Sequence, residues 1–315
     1  MPKIHCVGIV VVDLLSGPLK QYPVPRVQPQ VTTDWIRVVP GGGAANAPSA
    51  LARMGLAVTS FSKVGNDFNG EFIRQELNQV GVDTSGFCVA SQGSTPFTFV
   101  GIFSDGDRTF IHTPGTNITF TLADIDLDRA LACEFLLYHD LWTLPALDGE
   151  PAAKLLAEAR RRGVVTFLDE GFGYGPRRES LEAMLPHCDY VMPSIDDLQA
   201  IYPNSSAREL ADRLLGHGAG TAVIKMGAEG CYVARGELRE QVPAFPAKPV
   251  DATGAGDCWD AGFIAALAQG EDLITAARIG NACAAFGIEA VGGATGVPRY
   301  AVVRQRALQA PATGR

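Results

Sequence analysis

Apolar, β-branched runs alternate along this chain with stretches whose apolar residues recur every three or four positions. The first pattern predicts buried strands and the second predicts amphipathic helices. Strand-like runs fall at residues 4–12, 58–64, 135–141, 164–168, 190–193 and 222–226. Helix-like stretches fall at 45–54, 70–80, 151–162, 207–215, 256–268 and 273–287. Such alternation predicts βαβ units around a mostly parallel sheet in an α/β fold. The run at 222–226 leads through Gly227-Ala228-Glu229-Gly230 into a second strand-like run at 231–234, a hairpin signature at the late edge of the sheet.

Two segments break this rhythm. Residues 14–40 alternate Pro and Val without a helical period, and residues 88–117 hold strand-like runs on either side of the turn Ser104-Asp105-Gly106-Asp107. Both are too long for plain loops in a compact domain. They are expected to form a small second sheet, a lid over a site. The whole chain, 1–315, then reads as one domain with lid strands from about 14–40 and 88–117, and with a frayed tail at 310–315.

Composition narrows the functional classes. With 47% hydrophobic and 19% charged residues, the chain is an ordinary globular protein with core enough to need no staples. The net charge of −8 and the lack of a basic stripe exclude nucleic acid as an expected partner. Arg160, Arg161 and Arg162 end a helical stretch, where basic side chains suit the dipole. Seven scattered cysteines without a C-x-x-C predict buried free thiols in a reducing compartment. Met1 to His5 run straight into a strand-like segment, so no leader and no membrane span are expected and the protein is placed in the cytoplasm.

The strongest chemical signal is Asp251-Ala252-Thr253-Gly254-Ala255-Gly256-Asp257, which runs directly into a helix-like stretch. Gly254, Ala255 and Gly256 have almost no side-chain bulk. Their N–H groups would open a helix, where they lack intrahelical partners and meet the positive end of its dipole. Such a turn binds anions. Asp257 at its rim could accept a proton from a nucleophilic hydroxyl while the turn stabilises charge on a transferred phosphoryl group. The bland alternative is that Asp257 only serves the helix dipole. The turn is not a G-x-x-x-x-G-K-[S/T] loop, no G-x-G-x-x-G follows the first strand, and no G-x-S-x-G elbow is present.

A second element, Pro40-Gly41-Gly42-Gly43-Ala44-Ala45-Asn46, precedes a helix. Its glycines permit a bend and close approach to a ligand, and Asn46 offers a donor and an acceptor suited to a polyol. Asp13 is predicted at the carboxyl edge of the first strand, where α/β ligands bind. Asp67 and Asn69 precede Gly70 as helix caps or as site residues. His139, ending the run 135–141, either faces an acceptor or packs as a structural histidine. Lys225 and Gly227 lie at the hairpin, where Lys225 either touches phosphate or is solvated.

Two patterns, Gly41-Gly42 with Asn46 followed by Val64-Gly65-Asn66-Asp67-Phe68-Asn69-Gly70, and Asp251 to Asp257, resemble those of the ribokinase-like (PfkB) carbohydrate kinases. The resemblance covers nearly the whole chain. It implies a three-layer α/β sandwich with a protruding β-lid, and ATP-dependent phosphorylation of a hydroxymethyl group with Mg²⁺ bridging the phosphates. By the same carry-over Asp257 is the base and Gly254, Ala255 and Gly256 form the anion hole. Asp13, Gly42 and Asn46 then hold the acceptor, and Asn281 resembles the stretch beside the adenine. From their own positions in the chain, Gly43 and His139 are further candidates on the acceptor side, and Lys225 and Gly227 on the nucleotide side. Asp197 and Asp251 are the metal candidates, and a monovalent cation near Asp251 is an open question. The resemblance further implies a homodimer through the lid.

Two departures bear on substrate. Ser194-Ile195-Asp196-Asp197 stands where the family commonly has Asn-x-x-Glu, and Asp169-Glu170-Gly171-Phe172-Gly173 lacks the Arg that pairs with a sugar acid in many relatives. Gly43 stands where ribokinase has Lys. These features favour a neutral ketose or pentose as acceptor. A nucleoside kinase, or a relative that binds sugar or nucleotide without catalysis, are the alternatives.

Overall fold

The computed structural model describes residues 2–19, 31–104, 108–171, 173, 175 and 177–309. The expected lid residues 20–30, the turn at 105–107 and the tail at 310–315 lie outside the described residues.

The alternating pattern builds a nine-stranded sheet. Its order runs Leu238–Val242, Cys231–Arg235, Ala222–Lys225, Tyr190–Val191, Val165–Glu170, Phe135–Leu141, Ile4–Val7, Val58–Phe61, Val82–Asp83. The first two pairings are antiparallel and the others parallel. Buried apolar side chains cover both faces. Met54, Ile73, Phe263, Ile279 and Val303 pack on one side, and Leu155, Leu181, Leu198 and Leu210 on the other. This makes three layers, as a buried parallel sheet requires. Helix Ala255–Ala268 carries apolar residues all round and is accordingly buried along most of its length.

The long apolar runs hide two breaks. Residues 4–12 do not form one strand: Ile4–Val7 lies in the large sheet and Val11–Leu19 in the lid. The chain turns at Gly8, where a β-carbon would stand 2.6 Å from Asp140 Oδ2. Residues 58–64 likewise divide into Val58–Phe61 and Lys63–Gly65, the latter pairing with Cys88–Ala90 in a separate two-stranded sheet. Cys88–Ala90 is therefore not a lid strand. The late hairpin forms as expected, and Leu238–Val242 extends it by one further strand. Helices Arg178–Met184, Ile195–Ile201 and Tyr300–Leu308 lie where no helical period was read.

The lid is a four-stranded sheet in the order Trp35–Gly41, Val11–Leu19, Phe97–Phe103, Arg108–Thr113. Its register sets Asp13 beside Thr98 and Thr98 beside His112. These three share one face because directly paired residues point the same way. The next row, Val38, Leu14, Phe99 and Ile111, points to the opposite face. Asp67 caps helix Phe68–Val80 by accepting from Gly70 N and also accepts from Thr95 N and Oγ1. All seven cysteines are free thiols. Among the described residues no helix is long and apolar enough to cross a membrane.

Candidate active site

Helix Ala255–Ala268 starts from Gly254, whose φ of 73° lies in the left-handed region that favours glycine. A β-carbon there would stand 3.0 Å from the Gly293 Cα. Among the described residues no side chain caps this helix, so its first-turn N–H groups lack a side-chain acceptor, and that of Ala255 turns back to the Ala252 carbonyl at 3.3 Å. Asp251 braces the approach: Oδ1 accepts from Thr253 N (2.9 Å) and Oδ2 from Gly292 N (3.0 Å). Both oxygens of this metal candidate are thus engaged by backbone. A β-carbon on Gly256 would lie 3.3 Å from Lys225 Nζ. An ammonium group therefore stands at the same turn as the open N–H groups, and together they suit an anion.

Asp257 sits on the first turn of that helix. Its Oδ2 accepts from Asn46 Nδ2 at 2.7 Å, and its Oδ1 lies 3.0 Å from His139 Nε2. Burial alone would push this carboxyl up. The His139 ring, the Asn46 amide and the Lys225 charge outweigh it and hold Asp257 below the usual aspartate range. The side chain keeps 15% exposure, whereas Asp260 one turn on has none.

Behind Asp257 lies a buried ionic cluster built from the carboxyl ends of three strands and the first two turns of helix Ala255–Ala268. His139 ends on the bulged strand Phe135–Leu141, Asp169 and Glu170 close Val165–Glu170, Lys225 closes Ala222–Lys225, and Asp260 lies one turn along from Asp257. Lys225 Nζ donates to Asp169 Oδ2 at 2.6 Å and to Asp260 Oδ1 at 3.4 Å. Burial would discharge this lysine, but Asp169, Asp260 and Glu170 keep it protonated. It is not a solvated strand-end lysine. Burial, followed by the charge of Asp260, pushes Asp169 up to about 7. His139, Asp169 and Asp260 converge closely enough to resemble a cation site. The Lys225 ammonium already supplies positive charge to both carboxylates there, as buried ions require.

A second acidic pair lies beside the cluster. Ser194 caps helix Ile195–Ile201, accepting from Asp197 N and donating to Asp197 Oδ2. Its backbone N–H donates to Glu170 Oε1 at 2.7 Å, while Glu170 Oε2 is buried without a partner. Burial and the neighbouring Asp169 push Glu170 up to about 8. Burial and then Glu170 push Asp197 up as well. Two destabilised carboxylates with an orphaned oxygen form a donor set that a hard divalent cation would relieve.

A cavity of about 720 Å³ lies under the lid. Asp13, Thr98 and His112 line it from the lid, Gly42 and Asn117 from the body, and Thr253 and Gly254 from the anion turn. Burial pushes Asp13 up to about 7; Thr98 opposes this, and the charges of Asp251 and Asp257 add to it. Ile9, Val11 and Phe110 give the cavity an apolar wall.

Several expected positions take different places. His139 is only 2% exposed and does not line the cavity; it stands behind Asp257. Gly43 also faces inward, where a β-carbon would be 2.1 Å from His139 Nδ1. A side chain at this position has no room. Asn281 is saturated inside the protein, with Oδ1 accepting from Trp259 Nε1 and Nδ2 donating to the Val242 and Pro243 carbonyls. It thus shapes the core there rather than offering a free amide. Gly227 opens the short turn of the late hairpin at a φ of 55°, with open space beyond it.

Arg108, which was not foreseen, reaches from the lid to donate to Thr253 Oγ1 at 2.6 Å and comes within 3.8 Å of Asp251. Glu170 and Asp260 also escaped the sequence reading. The spacing of Asp260 from Asp257, one helical turn, was the available signal.

Known proteins share this architecture. An uncharacterized sugar kinase of Archaeoglobus fulgidus is 28% identical over 250 residues, spanning 79% of this chain and 98% of its own. A nucleoside kinase of Methanothermobacter thermautotrophicus is 28% identical over 283 residues, spanning 89% and 87%. The Arabidopsis thaliana ribokinase, solved with ribose and ATP, superposes with a TM-score of 0.82 at 21% identity and covers 98% of this chain and 99% of its own. The family model for pfkB family carbohydrate kinases matches residues 1–299. With that match over nearly its full length, the chain belongs to the pfkB family of carbohydrate kinases, which are ATP-dependent phosphotransferases.

Proposed function

We propose that this protein transfers the γ-phosphoryl group of ATP to a primary hydroxyl of a small neutral sugar, a ketose or pentose, with Asp257 as the general base. The observation that carries this reading is the position of Asp257, held ionised at the mouth of the anion turn beside the lidded cavity. The acceptor hydroxyl gives its proton to Asp257 as its oxygen bonds to the γ-phosphorus, and the bond from that phosphorus to the β-phosphate oxygen breaks to release ADP. The N–H groups at Gly254, Ala255 and Gly256, with Lys225, stabilise the charge on the transferring group. Asp13 accepts hydrogen bonds from acceptor hydroxyls. Asn46 aims the base.

Glu170 and Asp197 would hold Mg²⁺, which when bound offsets phosphate charge. Asp251 serves that role less well because its oxygens already hold backbone. A monovalent cation near Asp251 is tested by activity with K⁺ against a large organic cation.

A nucleoside is the second reading for the acceptor. Ile9, Val11 and Phe110 favour it, since an apolar wall suits a planar base more than a polyol. ADP formation from MgATP with a panel of sugars, sugar acids and nucleosides tests the choice. A neutral sugar with the highest kcat/KM supports the first reading, and a nucleoside the second.

The outer face of the lid supports a homodimer. The cross-strand row Val38, Leu14, Phe99, Ile111 is apolar throughout, with Val38 47% and Ile111 57% exposed. Burying such a row against a second copy would remove apolar surface from water.

A further inference from the structure

We propose that His139 is a positioning residue for the phosphoryl-transfer step: its Nε2–H is shared between Asp257 and Asp260 and keeps the base ionised and aimed at the acceptor. The proposal rests on the reading of Asp257 as the base.

The geometry is specific. His139 Nε2 lies 3.0 Å from Asp257 Oδ1 and 3.1 Å from Asp260 Oδ2. Neither contact is aligned well enough to be a full hydrogen bond, and Nε2 and Asp260 Oδ2 are both left unsatisfied while buried. The N–H therefore faces three carboxylates, with Asp257 and Asp260 nearest and Asp169 Oδ2, itself held by Lys225, farther off at 3.4 Å. At the other ring nitrogen, the Asp140 N–H lies 2.8 Å from Nδ1 and Asp140 Oδ1 lies 3.5 Å from it. Either ring state finds a partner there, and Nε2 carries a proton in both.

The ring cannot move away. Gly43 closes over it so tightly that no β-carbon fits between them. Asp140, at a left-handed φ of 65°, fixes the strand end by accepting from Ile9 N (2.9 Å) and Gly43 N (3.1 Å). That strain is retained where the site needs it. Because the other Asp257 oxygen is held by Asn46, each oxygen of the base faces a nitrogen from a different element.

The charges facing the pair come from every side. Asp140 lies on the strand that carries His139, Asp169 and Glu170 on the next strand, Lys225 beyond them, Asp260 on the helix of Asp257 and Asp13 in the lid, while the Cys6 thiol in the strand Ile4–Val7 is kept neutral by burial. Burial works against a charged imidazole, but the carboxylates, Asp140 foremost, favour it well above the usual histidine range. Without His139, the burial of Asp257 and the nearby negative charge of Asp260 would raise the carboxyl that must stay ionised.

Two measurements test this. The first is the pH profile of kcat at saturating acceptor for wild type and His139→Asn. The acid limb is expected to move up by about one unit or more, with activity recovering at alkaline pH and the KM for ATP changed less than about threefold. A profile lowered at every pH, with its limb unmoved, would overturn the proposal. The second is the NMR signal of the protected His139 Nε2 proton. It is expected in wild type and should shift in Asp257→Asn. Its absence in wild type, or an unchanged position in that variant, would also overturn the proposal, and this arm decides alone if His139→Asn does not fold. Full turnover by Asp257→Asn would instead overturn the assignment of the base, a distinguishable failure.

Discussion

Asn46 and Asp257 stand 211 residues apart in the chain and 2.7 Å apart in space, with the amide of the first donating to the carboxylate of the second. The Gly-rich turn and the C-terminal motif, two separate sequence signals, thus meet in one hydrogen bond. Hydrogen bonds to a charged group contribute about 1.5–3 kcal/mol. Asn46→Ala should therefore lower kcat by roughly 10- to 100-fold, with a smaller change in the KM for ATP. Steady-state kinetics check this; an unchanged kcat would mean that the base needs no such orientation.

Gly43 is closed in by His139 and Asp140, both held by buried partners that cannot yield. Gly43→Ala should destabilise the fold by about 1–3 kcal/mol, the usual cost of overpacking. Gly216→Ala is the control. That glycine ends helix Ala207–Gly216 with nothing within 4 Å of a β-carbon, so alanine should be neutral or slightly stabilising. Thermal melts of the two variants decide the comparison.

Asp13 predicts a pH dependence of acceptor binding. Its carboxyl, pushed up to about 7 mainly by burial, accepts hydroxyl hydrogen bonds through both oxygens, and most strongly, when ionised. As pH falls through about 7 the group protonates, one oxygen becomes a donor and the acceptor contact weakens. The acceptor kcat/KM should fall there, while kcat holds to lower pH because Asp257 is shifted downward. In Asp13→Asn the limb near 7 should vanish and kcat/KM should be low throughout. A limb that persists in this variant would assign it to another group.

The lid row predicts an assembly. Ile111→Lys should place a charge at the exposed end of the proposed contact row. Sedimentation velocity should show wild-type dimers and variant monomers. Wild-type monomers at tens of micromolar would remove the homodimer from the account.

How much of this was legible in the sequence depended on range. The anion turn and Asp257 lie within seven consecutive residues, so their small side chains and helix start could be read locally. The alternation of strand and helix gave the layered α/β class for the same reason. The division of residues 4–12 between two sheets was hidden because both halves are equally apolar, and only Gly8 marks the turn. His139 was expected to face the acceptor, since a strand end at the carboxyl edge allows it. Its burial behind Asp257 follows from the packing of helix Gly43–Met54 and from strand order, which one sequence does not carry. The Lys225–Asp169–Asp260 cluster is likewise an outcome of register and crossover. The apolar row of the lid needs three strand pairings to be seen.

The central claim is that Asp257 takes the acceptor proton. Its most direct test is acceptor-dependent ADP release from MgATP by wild type and Asp257→Asn, with folding checked by circular dichroism. The account predicts a folded variant with turnover lowered on the order of 10²-fold or more, the range for a lost general base. A folded variant that turns over at a near-normal rate would contradict it.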